Sequence, residues 1–383
     1  MRYVIAIVGF FVVAMMLWDA FEVIILPRRV TRRIRFARLF YRFTWRLRSM
    51  VAELIPLDRP RENYLSYFGP LSLLLLLTAW VTGLVAGFAM MQWGLQDRLN
   101  VAERAAPFTT YLYLSGTTFF TLGLGDVIPL GRLGKELVVL EAGLGFAFLG
   151  GVVTYLPTIY QAFSRREVGI SLLDARAGSP PSAGELLRRN GNDMSGLEQL
   201  LCKWEEWSAE LLESHLSYPF LVYFHSQHVN QSWLGALTTI LDTSALVIAG
   251  IDGGPIRQAK LTFAMARHAV VELTQNFILS PPAAARDRLP PSSFTVLRKL
   301  LAEADVSMRA GTATEQKLSE LRRMYEPYVQ ALSKYLLISM PPWFQVNVIP
   351  DNWQISNWQI PILSIATENS AIQERNAKRF AEG

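Results

Sequence analysis

The sequence has few of the residues that build disulfides and metal sites. Only one of its 383 residues is cysteine, Cys202, and only four are histidine. A single cysteine excludes a disulfide within the chain, and so few imidazoles argue against a metal site built from histidine. No nucleophile paired with a base and no glycine-rich phosphate loop stands out. We therefore expect a protein that is not an enzyme and needs neither a cofactor nor a resident metal.

Charge is also scarce, because charged residues make up 18% of the chain and hydrophobic residues 51%. Three apolar runs, 3–26, 68–91 and 137–161, are long enough for a bilayer, which takes about 20 apolar residues. A shorter apolar segment, 107–120, cannot span and is typical of a re-entrant pore helix. The sequence predicts a multi-pass protein of the plasma (prokaryotic inner) membrane with three transmembrane helices.

Acidic residues are absent from 28–48, a stretch that contains nine arginines. Basic segments beside a span stay in the cytoplasm, which orients all three spans and leaves the C-terminal half cytoplasmic. Aromatic residues interleave with the arginines, so we expect a helix that lies in the membrane interface and binds anionic lipid. A voltage sensor is the alternative, although these arginines follow the span instead of lying within it. The expected lipid-interface residues are Arg28, Arg29, Arg32, Arg33, Arg35, Arg38 and Arg42.

The segment 115–129 has the pattern of a cation-channel filter. Its centre, Thr-Leu-Gly-Leu-Gly-Asp at 121–126, follows the short apolar segment and precedes the third long run. A filter lines a tunnel with backbone carbonyls that replace the hydration shell of an ion. Carbonyls that point one way need an alternating backbone twist, which glycine at every second position allows because it tolerates φ > 0. The predicted ion-binding filter residues are Thr121, Leu122, Gly123, Leu124 and Gly125.

Three polar residues are predicted to support the filter. Thr118 belongs to the same pattern, and Asp126 lies at the outer mouth, where it concentrates cations or braces the loop through a hydrogen bond. Glu141 is the only charge in the third run, and an ionisable group at membrane depth faces protein or water. We expect Glu141 to brace the pore helix from behind the filter, and the alternative is a charge that lines the cavity.

Five residues of the third run are predicted to form a hinge and a gate. Glycines weaken the helix locally and provide either a hinge or close packing against a neighbouring helix. Proline removes a backbone donor and kinks a helix, here near the expected cytoplasmic end. These residues are Gly143, Gly145, Gly150, Gly151 and Pro157.

Residues 68–166 resemble the pore module of the bacterial two-transmembrane, single-pore-loop potassium-channel family, whose usual filter is Thr-Val-Gly-Tyr-Gly-Asp. Leu122 replaces its valine, and Leu124 replaces an aromatic residue that packs on the pore helix. The resemblance implies passive, selective conduction of K⁺ and opening by the inner helices. A ring of carbonyls needs four loops and the chain has one, so a homotetramer is expected. Two alternatives stay open: a weakly selective cation channel, and a membrane-anchored signalling or scaffold protein with a vestigial pore.

The C-terminal half predicts a helical cytoplasmic domain, because apolar residues recur at helical spacing from 196 to 340. The apolar segment 235–251 is short and carries Asp242, so we interpret it as a buried core helix. The domain lacks a Rossmann fingerprint, its ligand or partner is not readable, and nucleic acid is not expected. The predicted fold class is an all-α membrane protein: three transmembrane helices, a re-entrant pore helix and filter, then an all-helical cytoplasmic domain. The predicted segments are an N-terminal transmembrane anchor (1–27), a basic interfacial segment (28–63), the pore module (64–166), a linker (167–195), the helical cytoplasmic domain (196–345) and a tail (346–383).

Overall fold

The computed structural model describes residues 2–26, 35–55, 59–101, 106–226, 228, 230–282, 287–345 and 352. In these residues the structure is helical, and β-pairing is limited to two isolated bridges, Leu99 with Pro129 and Ile251 with Met308. The predicted all-helical class is therefore confirmed for the described chain. The α-helices are α1 (Arg2–Ile24), α2 (Phe36–Glu53), α3 (Arg59–Ser66), α4 (Phe68–Leu95), α5 (Phe108–Phe119), α6 (Arg132–Ala177), α7 (Ala183–Asn190), α8 (Met194–Ser217), α9 (Trp233–Gly250), α10 (Ile256–Asn276), α11 (Pro291–Ala302), α12 (Thr312–Arg323) and α13 (Glu326–Leu336), and Pro219–Tyr223 form a 3₁₀ helix.

Several helices are apolar enough for a membrane. Among the described residues, those long and apolar enough to cross one are 2–24, 60–95, 132–177 and 233–250. The three predicted spans lie in α1, α4 and α6, and the short segment predicted as a pore helix is α5. Every residue of α9, the fourth apolar helix, is buried inside the protein. Burial on all sides is the property expected of a core helix.

The chain forms two compact units. The first contains Met1–Arg165 and Leu211–His225, and the second contains Arg166–Glu210 and Ser226–Gly383. Helices α6 and α8 contribute residues to both units. The segment 167–195, predicted as a linker, contains the end of α6, all of α7 and the first residues of α8. The predicted division into domains otherwise stays a prediction.

In the first unit, α1 packs closely along α4. A Cβ atom added to Gly9 would lie 2.6 Å from the Gly87 carbonyl oxygen, so small residues let the two backbones approach. Helix α5 also packs on α4, through a cluster that contains Ala89, Tyr111 and Leu114. This packing holds α5 beside the segment that follows it.

The second unit is built around α9, which contacts α7, α10, α12 and α13. The one acidic residue of α9, Asp242, is fully buried and accepts hydrogen bonds from Arg288 at 2.8 and 3.1 Å and from Tyr325 at 2.5 Å. A buried carboxylate needs such partners, because an unpaired charge in a protein interior is costly.

Candidate functional site

The predicted filter begins where α5 ends. The Thr121 N–H donates to the Thr118 carbonyl at 2.9 Å, and the Leu122 N–H donates to the Thr117 carbonyl at 2.8 Å. The last carbonyls of α5 are thus partly satisfied by the residues that leave the helix, as the end of a helix requires. These bonds turn the chain back, and residues 122–124 continue without regular secondary structure.

The sign of φ alternates from residue to residue between Thr121 and Gly125. Thr121, Gly123 and Gly125 have φ of +57°, +55° and +76°, whereas Leu122 and Leu124 lie outside the left-handed region. A Cβ atom added to either glycine would meet nothing within 4 Å, so the backbone conformation, not space, favours glycine at both positions. Thr121 adopts the same conformation at a cost of about 1–2 kcal/mol. Alternating twist of this kind directs successive carbonyls towards one side.

A short outer loop ties the far end of the segment to the rest of the first unit. The Ile128 N–H donates to Asn100 Oδ1 at 2.6 Å, and the Asn100 N–H donates to the Ile128 carbonyl at 3.0 Å. The Gly131 N–H donates to Asp97 Oδ1 at 2.9 Å, and the Tyr111 hydroxyl donates to the Asp97 carbonyl at 2.8 Å. Sequence reasoning missed Asp97 and Asn100, because their partners lie about thirty residues later in the chain and no spacing rule connects them.

Asp126 is exposed and accepts a hydrogen bond from the Tyr113 hydroxyl of α5 at 2.8 Å. This contact joins the outer end of the predicted filter to the helix behind it. Tyr113 is another residue that the pattern did not identify, since it lies outside the Thr118–Asp126 motif. Its hydroxyl links α5 to Asp126, two residues after Leu124.

Glu141 is fully buried between α4, α5 and α6. It accepts hydrogen bonds from the Ser115 hydroxyl and, at 3.3 Å, from Gln92 Nε2. Ser115 is also 2.7 Å from the Val85 carbonyl of α4. The side chain therefore points into protein and joins the three helices, and its role in supporting the filter stays a prediction.

The four glycines of α6 that were predicted as a hinge fall into two groups. A Cβ atom on Gly145 would collide with the Phe119 carbonyl at the end of α5, so Gly145 provides close packing within the chain. A Cβ atom on Gly143, Gly150 or Gly151 would meet nothing within 4 Å. The described helix continues through Pro157 to Ala177. Whether these residues act as a hinge or gate stays a prediction.

The arginines predicted to meet lipid differ in their surroundings. Arg35 is largely buried and pairs with Glu22 of α1 at 3.1 Å, whereas Arg38 and Arg42 lie on α2, where Arg42 is exposed. Two further arginines of α2 were not in the predicted set: Arg46 is exposed, and Arg48 lies 3.6 Å above the Tyr64 ring. Four predicted residues lie outside the described part of the chain: Arg28, Arg29, Arg32 and Arg33.

Comparison with known proteins supports an ion-channel domain in a membrane protein. Residues 73–162 match a protein family described as "Ion channel". The chain is also 26% identical over 191 residues to the uncharacterised membrane protein YdjJ of Bacillus subtilis (strain 168). That similarity covers 49% of this chain and 55% of YdjJ, so the chain spans about half the length of this relative. No solved structure matches the chain significantly. The matched family segment contains most of α4, all of α5, the predicted filter and the first two thirds of α6.

Proposed function

We propose that the chain is the subunit of a potassium-selective channel that conducts passively. The alternating φ at Thr121, Gly123 and Gly125 is the observation that carries this proposal. In that conformation the carbonyls of residues 121–124 and the Thr121 hydroxyl replace the water around K⁺. Asp126 concentrates cations at the outer mouth, and the C-terminal end of the α5 dipole favours cations on the inner side.

The working assembly that we propose is a homotetramer. Each chain supplies one filter segment, and a ring of carbonyls needs four. Residues 120–126 are exposed in the single chain, as are the apolar side chains Val139, Phe146 and Val153 of α6. Neighbouring copies, with lipid, are what we expect to cover these surfaces.

The proposed topology has three spans, α1, α4 and α6. Helix α9 is omitted because it is buried on all sides by protein. Helix α2 lies in the cytoplasmic membrane interface, where its arginines meet anionic lipid. The second unit is cytoplasmic and controls the gate. Because α6 continues into that unit as one helix, a change in the unit can act on the inner helix directly.

Opening is proposed to occur by splaying of α6. Gly143, Gly150 and Gly151 have open space where a side chain would be, so the helix can bend there without a clash in its own chain. Pro157 lacks an N–H and weakens the helix one to two turns further on.

A weakly selective cation channel is the second candidate, and Leu124 is the observation that favours it. The residue is 63% exposed in the single chain, and its side chain has no hydroxyl with which to fix the width of the filter. A filter free to change its width discriminates less between K⁺ and Na⁺.

The test is the reversal potential of the purified full chain in planar bilayers, with K⁺ on one side and Na⁺ on the other. Gly123→Asp is expected to abolish the current. Gly253→Asp is the matched control, because Gly253 also has positive φ (+68°) and open space but lies in the second unit. Reversal near the K⁺ equilibrium potential, lost only in Gly123→Asp, supports the proposal. Reversal near zero favours the weakly selective channel, and a folded tetramer silent at varied pH, voltage and calcium favours the vestigial pore.

A further inference from the structure

Helix α2 presents three different faces. One is buried and contains Ala37, Tyr41, Trp45 and Ala52. The second carries arginines one turn apart, at 38, 42 and 46. The third is apolar and open to the surroundings. Its members, with the exposed fraction of each residue, are Leu39 (53%), Phe43 (71%), Leu47 (58%), Met50 (51%) and Leu54 (85%), the last of which caps the helix.

The two outer faces match the surface of an anionic bilayer. A helix at that depth buries its apolar side chains among the acyl chains and offers arginine to the phosphates beside them. The only acidic residue of α2 is Glu53, in its last turn and seven residues after Arg46, so no carboxylate lies between the three arginines on their own helix. Phe21 of α1 and Ile25, the residue after that helix, are also exposed apolar residues.

The N-terminal end of α2 is fixed to α1 and α4. Asp19 of α1 accepts a hydrogen bond from the Ala37 N–H at 3.0 Å, which satisfies a donor in the first turn of α2. The same carboxylate accepts from Trp80 Nε1 of α4 at 2.9 Å, and Glu22 pairs with Arg35. One end of α2 is therefore held by the two apolar helices beside it.

The buried face of α2 leads through aromatic rings to the inner helix. Tyr41 stacks on Phe220 of the 3₁₀ helix, with ring centres 6.1 Å apart and planes 16° apart. Phe220 also contacts Tyr155 of α6 at 6.4 Å, edge to face. Tyr155 donates a hydrogen bond to the Val23 carbonyl of α1 at 3.2 Å and lies two residues before Pro157.

We infer that anionic lipid bound to the outer faces of α2 regulates α6 through Phe220, whose ring contacts both Tyr41 and Tyr155. Because the N-terminal end of α2 is fixed, lipid that draws the rest of the helix into the interface tilts it about that end and moves Tyr41, which lies one turn beyond Ala37. Phe220, which contacts Tyr41, then moves against Tyr155, and Tyr155 lies beside the proposed gate. Lipid binding and regulation are tested separately. Only the regulatory half rests on the proposed function.

Lipid binding is measured on the full chain in detergent, as the rise in melting temperature on titration with phosphatidylglycerol or phosphatidylcholine. Replacing the arginines at 38, 42 and 46 with glutamine should weaken the phosphatidylglycerol affinity about tenfold or more. The matched control replaces three exposed basic residues of the second unit with glutamine: Arg257, Lys260 and Lys317. This variant should prefer phosphatidylglycerol over phosphatidylcholine as the wild type does. Equal affinity in the triple arginine variant and the wild type overturns the inference. So does a variant whose subunits dissociate while its lipid affinity is unchanged, because the face would then be a contact between copies.

Regulation is measured as K⁺ flux from vesicles of pure phosphatidylcholine and of phosphatidylcholine mixed with phosphatidylglycerol. Phe220→Leu should bind phosphatidylglycerol as the wild type does but lose the dependence of flux on it. Phe220→Tyr, which keeps the ring, should restore that dependence, and Phe10→Leu, which removes an exposed ring of α1 outside this pathway, should leave it intact. Wild-type dependence in Phe220→Leu overturns the relay. If the wild type prefers phosphatidylglycerol but passes no ions, the result contradicts the proposed channel and supports lipid binding by the outer faces of α2.

Discussion

Glu141→Ala removes a side chain that joins α4, α5 and α6 in a fully buried position. Gln92 Nε2 then loses its bond to the carboxylate, and Gln92 Oε1 already has no hydrogen-bond partner. A buried amide left unpaired costs about 1–3 kcal/mol, and the cavity adds to that cost, so we expect a loss of about 3 kcal/mol or more. Glu141→Gln keeps the volume. Its amide oxygen can accept from Ser115, and after rotation of the Gln92 amide its NH₂ can donate to Gln92 Oε1, so the loss should stay below about 1 kcal/mol.

The assay is thermal unfolding of the purified full chain in detergent, followed by the reversal potential of each variant. Glu141→Ala should melt several degrees below the wild type, and Glu141→Gln should melt close to it. Because Glu141 contacts the helix that precedes the predicted filter, the alanine variant of the proposed channel should also select less well between K⁺ and Na⁺. The reasoning is refuted if the alanine variant melts with the wild type, or if the glutamine variant is the less stable of the two.

Three further predictions concern residues outside the filter motif. Asp97→Ala removes the acceptor of the Gly131 N–H, so it should reduce K⁺ selectivity in bi-ionic recordings without preventing assembly; unchanged selectivity contradicts a role in positioning the filter. Asp242→Ala leaves Arg288 buried without its main partner and should lower the unfolding free energy by about 3–5 kcal/mol in denaturant titrations; a loss below about 1 kcal/mol contradicts this. A backbone N–H of α8 lowers the pKa of Asp193 from its ordinary value of 3.8. The ionised carboxylate therefore stabilises the folded chain fully at pH values above 3.8, and this stabilisation is lost as the pH falls through the lower pKa of the folded state. Asp193→Asn should keep the hydrogen bond and flatten that acid-side loss in melting curves, and an unchanged pH profile contradicts the assignment.

The apolar helices could be predicted because length and composition suffice for a span. The limits of α6 could not, because residues after 161 are polar enough to leave a membrane yet still favour a helix. That helix ends only at Ala177, before a Gly178-Ser-Pro-Pro sequence that cannot continue it. The burial of α9 was predicted from its short length and from Asp242, which needs a partner. Its partner Arg288 lies 46 residues later, beyond the reach of any local pattern.

The local motif of the candidate site could be predicted from the sequence, but its contacts with residues distant in the sequence could not. Glycine spacing identified Gly123 and Gly125, because a positive φ is a local property. Positive φ at Thr121 was not foreseen, since threonine disfavours it and only the surroundings can impose it. Ser115, Tyr113 and Asp97 act through hydrogen bonds to residues 13 to 34 positions away, and such pairs leave no periodic signal in one sequence.

The contacts of the single chain hold the predicted filter at its two ends. At the inner end, the Thr117 and Thr118 carbonyls accept the N–H groups of Leu122 and Thr121. At the outer end, Asn100 is bonded to Ile128 and Tyr113 to Asp126. The residues between are exposed and include strained backbone at Thr121, so the alternating twist needs support along its length. In the proposed channel, neighbouring subunits and the ions provide that support. We therefore expect K⁺ to raise the melting temperature of the tetramer more than Na⁺ does, and Gly123→Asp, but not Gly253→Asp, to abolish the difference. Equal stabilisation by both ions in the wild type would contradict a filter that binds K⁺ selectively.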